Sequence, residues 1–201
     1  MPLIKDTPHL PGTFNRSSPA GLVRVRAPVA ASRFLASRSP PLLADRPGLQ
    51  IEPVVGDRFS DMIDDGLDLA AHTREITNAS LVIRRVGLAA RVIVAVPSYI
   101  ERHGAPTLPA HLADHICFVH DTGPDSDLWP LIAPEGTESI RVSGRFIANG
   151  VAAVHLAVRG GRGLAFLALA LVFDDLRAAH LIRILSNYPP PPDSSTMEIS
   201  T

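Results

Sequence analysis

Cysteine is almost missing from this chain: Cys117 stands alone among 201 residues. An internal disulfide is excluded, and a lone thiol fits a reducing compartment. An excess of charge of one sign is missing too. The formal net charge of -1 supplies no general pull toward nucleic acid or an acidic membrane. Long hydrophobic runs are lacking, and the longest, Leu164–Phe173, falls short of the about 20 residues that span a bilayer. The opening stretch MPLIKDTPHLPGTFNRSSPA has no apolar core of the about 7–15 residues that a secretory signal needs. These absences lead to the expectation of a soluble, cytoplasmic protein without membrane association. Catalytic signatures are scarce as well. There is no GxSxG and no supported Cys/His pairing. His111 and His115 stand at i and i+4, but Leu112 occupies the place where a zincin has glutamate, so no metal is assigned. The glycines of Gly160–Gly163 follow a helix and precede a strand, the reverse of a phosphate-loop order, and read as a cap and turn. Cys117 lies in an apolar strand and reads as a small packing hydrophobe.

What is present is a globular pattern, with 46% hydrophobic residues. Leu22–Ala27 alternates like a strand with one buried face, and Pro28 ends it. Arg33–Ala44 reads as a helix broken at Pro40 and Pro41. Pro47-Gly48 is a turn, followed by a strand at Leu49–Val55. Arg91–Val96 and Ile116–Val119 are apolar on both faces, the mark of fully buried strands. Short helices are expected at Ser98–His103 and Pro109–Asp114, each opened by a proline. Glu138–Ile147 is strand-like, Val151–Arg159 helical, Leu164–Leu167 a strand, Ala168–Leu176 a helix and His180–Leu185 a strand. Strands alternate with helices, so the fold class is α/β. Residues 1–20, with four prolines, read as a loosely packed arm, and 188–201 as an unstructured tail.

The most informative stretch is VVGDRFSDMIDDGLDLAAHTREITNASLVIRRVG, residues 54–87. Phe59, Met62 and Ile63 recur at helical spacing, with Asp61, Asp64 and Asp65 turned outward and Gly66 as a helix C-cap. A strand over Leu67–Ala71 carries a single charge, Asp68, which should cap or pair at the sheet end. The polar run from His72 to Ser80 then sits past the strand's carboxyl end, where open α/β sheets hold ligands. This stretch resembles the effector-binding domain of LysR-type transcriptional regulators. The matching residues are Asp57, Arg58, Phe59, Asp61, Gly66, Asp68, Leu69 and Ala70, then Ser80, Leu81, Val82, Arg84, Arg85 and Gly87. The resemblance runs over about Gly21–Pro192.

It implies a two-lobed type II periplasmic-binding-protein-like fold, C-terminally incomplete, with a first lobe over 21–88 and a second over 89–187. It implies a domain that senses a small-molecule effector by shifting lobe closure, without the family's winged helix-turn-helix. It also implies a homodimer, or association with an intact family member, and no DNA binding by this chain alone. No cofactor and no catalysis are implied. A solute-binding protein of a transport system shares the fold and is the second reading, disfavoured by the missing secretion signal.

Candidate ligand contacts fall at strand ends. Ala31 and Ser32 lie in the loop after the first strand, with Ser32 also an ordinary N-cap. Asp57 and Arg58 sit at the next strand-to-helix turn, where Asp57 reads as a cap and Arg58 as a surface or lobe-lobe ion pair that is also suited to an anionic effector. His72 and Thr73 stand where the resembled family usually has arginine and an aliphatic residue. His120, Asp121 and Thr122 follow a buried strand. Asn149 and Gly150 end a strand and begin a helix, where Asn149 is able to cap or to donate to a ligand. Trp129 matches a family tryptophan and reads as packing.

Overall fold

Apolar runs and alternating segments become strands largely where their patterns require, and the computed structural model describes residues 19–56, 66–72, 82–88, 90–191 and 196–200. Among them the chain begins β1 (Gly21–Ala27), α1 (Val29–Asp45), β2 (Leu49–Val55), β3 (Leu69–His72) and β4 (Ile83–Leu88). It continues through β5 (Arg91–Ala95), α2 (Pro97–His103), a 3-10 turn at Pro109–Asp114, β6 (Cys117–His120), β7 (Leu128–Ala133) and β8 (Gly136–Arg141). It finishes with β9 (Phe146–Ala148), α3 (Val151–Arg159), β10 (Leu164–Ala168), α4 (Leu169–Arg177), β11 (Ile182–Ile184) and β12 (Thr196–Ser200). Two units result: one holds the segments that end at Leu88 and begin again at Thr196, the other is Ala89–Ser195. The helix expected around Phe59–Ile63 lies outside the described residues, as does the arm before residue 19.

The first unit is a five-stranded sheet in the order β2-β1-β3-β12-β4. β1 runs parallel to β2 and β3. The parallel register sets Arg24 opposite Glu52, and the two form an ion pair at 3.3 Å. Asp68 behaves as its isolation in an apolar stretch demands. Its carboxylate accepts the Arg24 N–H at 2.8 Å, while its own N–H donates to the Arg24 carbonyl at 3.0 Å. Gly66 just before it takes φ 59, a left-handed setting natural to glycine.

Two expectations are corrected here. The helix over 33–44 is not broken: α1 runs unbroken through Pro40 and Pro41. The two prolines remove the N–H donors that would reach the carbonyls of Ala36 and Ser37. No residue of α1 is buried, which leaves the freed carbonyls open to solvent. Nor is the whole of 188–201 unstructured. Thr196–Ser200 forms β12, antiparallel to both β3 and β4. The alternation Thr-Met-Glu-Ile-Ser suits a strand, and β3 and β4 each present a row of backbone donors and acceptors that it completes.

The second unit is built on the sheet β11-β5-β10-β6-β9. β10, β6 and β9 are parallel, and β5 runs antiparallel to β10 and β11. Val94, Val119, Leu164 and Leu167 are almost fully buried, as apolar runs covered on both faces require. α3 lays Val151, Val154 and Val158 on this core at helical spacing. The strand expected over 138–147 is divided. β8 pairs with β7 in a separate hairpin, and β9 joins the main sheet. Gly144 lies at the division, where an added Cβ would meet Val119 Cγ2 at 2.8 Å and the Cys117 carbonyl at 3.0 Å. The hairpin buries Trp129 to 2% exposure, its ring 5.6 Å from that of Phe166.

Candidate functional site

The second unit brings five of the expected contact residues together. β6 ends at His120 and β9 at Ala148, and those two are register partners. Beyond the last pair, the Asp121 N–H donates to the Ala148 carbonyl at 2.8 Å and closes the seam between the strands. His120, Asp121 and Thr122 therefore lie beside Asn149 and Gly150 at one sheet end. Two segments almost thirty residues apart in sequence share this edge because parallel strands end at the same side.

Loop chemistry shapes the site further. Asp121 Oδ1 accepts the Gly123 N–H at 3.0 Å, an Asx turn. The Thr122 N–H donates to Ser126 Oγ at 2.8 Å, and Ser126 in turn donates to the Gly123 carbonyl. Arg141 clamps Asp127 at 2.6 and 2.7 Å and reaches Asp125 at 3.2 Å. These carboxylates raise the Arg141 pKa, chiefly through the Asp127 hydrogen bonds. Against this loop lies an open depression of about 360 Å³, lined by Val119, Asp121, Ser126, Asp127, Val142 and Ile147 among others. Ser126 was not expected from the sequence. The signal was the turn-rich run DTGPDSD, in which a serine hydroxyl and an aspartate fix the backbone together.

The backbone cap of α3 is Gly150, at φ −104 and ψ 112, with no side-chain cap. Its carbonyl accepts from Ala153 at 3.0 Å. Asn149, expected as a cap or a ligand donor, does not cap and is exposed. The first-turn amides of a helix have no partner within it and favour an anionic or carbonyl oxygen.

In the first unit, Ala31 and Ser32 lie inside the first turn of α1, not before it. Both N–H groups donate to the Pro28 carbonyl at 2.9 Å. The Ser32 hydroxyl donates to the Val29 carbonyl at 2.8 Å, so Ser32 is not the N-cap, a position that Pro28 holds. His72 ends β3, at the same sheet end as the start of α1. Asp57, Arg58 and Thr73 lie outside the described residues.

The remaining chemical candidates are structural. Cys117 is fully buried, and burial pushes its thiol up to about 12. His115 Nδ1 lies 3.2 Å from the Tyr99 hydroxyl inside the core. Among the described residues no group of three or more His, Cys, Asp or Glu is placed to hold a metal, and no helix is long and apolar enough to cross a membrane.

Polar groups are gathered at strand ends beside a helix start, the place where open α/β sheets hold ligands. A family model for the LysR substrate binding domain matches residues 16–197, and the chain belongs to that family. The HTH-type transcriptional activator AaeR of Escherichia coli K12 is 31% identical over 177 residues, which cover 87% of this chain and 57% of that protein. The regulator DmlR of the same organism is 28% identical over 181 residues, covering 86% and 57%. The chain thus spans little more than half the length of these relatives. The regulatory domain of CrgA from Neisseria meningitidis, a LysR-type transcriptional regulator, superposes with a TM-score of 0.79 at 20% identity, over 90% of this chain and 89% of that one. The fold is that of LysR regulatory domains.

Proposed function

We propose that this chain is the effector-sensing part of a LysR-type transcriptional regulator, acting in the cytoplasm. Membership of the substrate-binding-domain family supports the sensing role. The observation that carries the site is the joined end of β6 and β9, sealed by the Asp121–Ala148 hydrogen bond. In the second unit the proposed contacts are His120, Asp121, Thr122, Asn149 and Gly150. In the first they are Ala31, Ser32, Asp57, Arg58, His72 and Thr73. The first turn of α3 favours an anionic group on the effector. The Asp121 carboxylate beside it favours hydroxyl or amine donors on the same molecule. The effector acts by preferring one conformation of the domain over another.

Self-association belongs to the same reading. Phe34 and Leu42 on α1 are 42% and 44% exposed, and Leu156 on α3 is 72% exposed. Apolar side chains left so open suit burial against a second copy or an intact relative. Sedimentation is expected to show a dimer at micromolar concentration, and a strictly monomeric chain would count against this.

A thermal-shift screen of small carboxylates, with and without hydroxyl or amine groups, tests the sensing role. A ligand present at a hundredfold excess over Kd stabilises by about 2.7 kcal/mol, which at about 2–4 °C per kcal/mol raises Tm by roughly 5–10 °C. Asp121→Ala and Asn149→Ala are expected to weaken that shift. A broad metabolite library that moves nothing would sink the sensing reading. Binding that both variants leave untouched would sink the site.

A further inference from the structure

A buried carboxylate on the far side of α3 takes no part in the site described above. Asp175, on α4, is 8% exposed. Its Oδ2 lies 2.6 Å from His155 Nε2. Its Oδ1 accepts from the Arg159 guanidinium and lies 3.4 Å from His180 Nδ1. His155 and Arg159 are four residues apart on α3, hence on one face. His180 follows α4, and its N–H and that of Leu181 donate to the Asp175 carbonyl at 2.9 and 3.2 Å. One residue therefore ties α3, α4 and the turn into β11 together. Burial by itself raises the Asp175 pKa, but the His155 hydrogen bond and the Arg159 charge outweigh it and hold the group below the usual carboxylate range.

The apolar contacts of α3 do not set its placement as narrowly. Val151, Val154 and Val158 form a ridge on the sheet, and dispersion contacts of such a ridge are non-directional. Hydrogen bonds to a carboxylate are directional and short. They fix how far α3 is turned about its axis and how far it is slid along it. A helix is stiff over two turns, and His155 is only five residues from Gly150, about 7.5 Å along the axis. A displacement at the clamp is carried to the helix start.

We propose that Asp175 is a positioning residue for the candidate site: through His155 and Arg159 it holds α3 so that Asn149 and the first-turn amides stay beside the ends of β6 and β9. This rests on the effector site proposed above. The effector never touches Asp175, and the residue acts only through the helix.

The test compares amide spectra and hydrogen exchange of the full chain without ligand, in the wild type, Asp175→Asn and His155→Gln. Leu112→Ala serves as a control, since it destabilises the same unit from a residue fully buried elsewhere. Loss of the clamp is expected to shift the resonances of Asn149–Ala152 and to speed exchange at Ala153 and Val154, whose N–H groups donate to the Gly150 carbonyl, on the order of tenfold, the factor that corresponds to about 1.4 kcal/mol. Leu112→Ala is expected to leave those amides at their wild-type shifts. Changes confined to residues 155–160 and 174–181 overturn the proposal, as do equal changes in Leu112→Ala. If Asp175→Asn fails to fold, His155→Gln decides, because it keeps Arg159 and His180 on the carboxylate. A wild type that binds no small carboxylate sinks the effector reading alone, since the ligand-free amides still report on the clamp.

Discussion

Replacing Tyr99 by phenylalanine removes one oxygen from the core of the second unit and leaves two groups without it. Tyr99 is 2% exposed. Its hydroxyl accepts the Ile116 N–H at 3.2 Å and lies 3.2 Å from His115 Nδ1. The tautomer in which the hydroxyl donates its one proton to Nδ1 satisfies both groups, and in it the ring nitrogen is an acceptor. The environment agrees: burial, then the charge of His103, lowers the His115 pKa. A buried group that loses its partner costs about 1–3 kcal/mol. Ile116 is 42% exposed, so water recovers part of its share, and the net cost is about 2 kcal/mol. That corresponds to about 4–8 °C in Tm. The chain's single tryptophan, Trp129, is buried in this same unit, so its fluorescence follows the unfolding of this unit. The pH dependence sharpens the test. Because the folded pKa of His115 lies below its unfolded value, the unfolded state binds the proton first as pH falls, and stability drops through the unfolded pKa toward the folded one. In Tyr99→Phe the ring nitrogen no longer serves as an acceptor and protonates more readily. The gap between wild type and variant should therefore narrow between about pH 7.5 and about pH 5.5. A cost below about 0.5 kcal/mol at the higher pH, within the ordinary scatter of neutral substitutions, would refute this reasoning. So would an equal cost at both pH values.

Three further outcomes are expected. Cys117, with its thiol raised to about 12 by burial, should react with thiol reagents only as fast as the second unit opens, and rapid stoichiometric labelling of the native chain would contradict this. Leu164→Ala, at a residue with 0% exposure, should lower stability by about 2–5 kcal/mol in denaturant titration, and a loss under about 1 kcal/mol would mean the core closes over the cavity. Ending the chain at Ser195 removes β12 and uncovers the facing edges of β3 and β4. Amide exchange should then rise in Leu69–His72 and Ile83–Leu88 while the Trp129 transition keeps its midpoint, and unchanged protection in both strands would show that the sheet closes without it.

Much of the second unit is legible in the chain because its information is local. Arg91–Ala95, Cys117–His120 and Leu164–Ala168 are apolar on both faces, and only a strand covered on both sides buries such a run. Val151, Val154 and Val158 announce the inner face of α3 by spacing alone. The proposed contact residues from His120 to Thr122 and at Asn149 and Gly150 can be picked out locally because strand ends before a turn or a helix carry their own residue chemistry. The fate of a proline pair is not local. A proline pair costs a helix less where water reaches the freed carbonyls, and α1 lies open to solvent.

Pairing was decided by tertiary structure alone. Nothing near Thr196 states that its backbone completes β3 and β4, since the need for it lies in two strands more than a hundred residues earlier. Nothing near His120 states that Ala148 lies beside it, because backbone hydrogen bonds between strands carry no residue identity. The same holds for Asp175. The adjacent pair Asp174-Asp175 on a helix reads as solvated surface until folding sets His155, Arg159 and His180 around Asp175. The sequence by itself determined most strands and helices of the second unit, but not β12, the division between β8 and β9, or the continuity of α1. The three-dimensional packing decided which ends meet, because burial and backbone pairing are satisfied only between elements far apart in the chain.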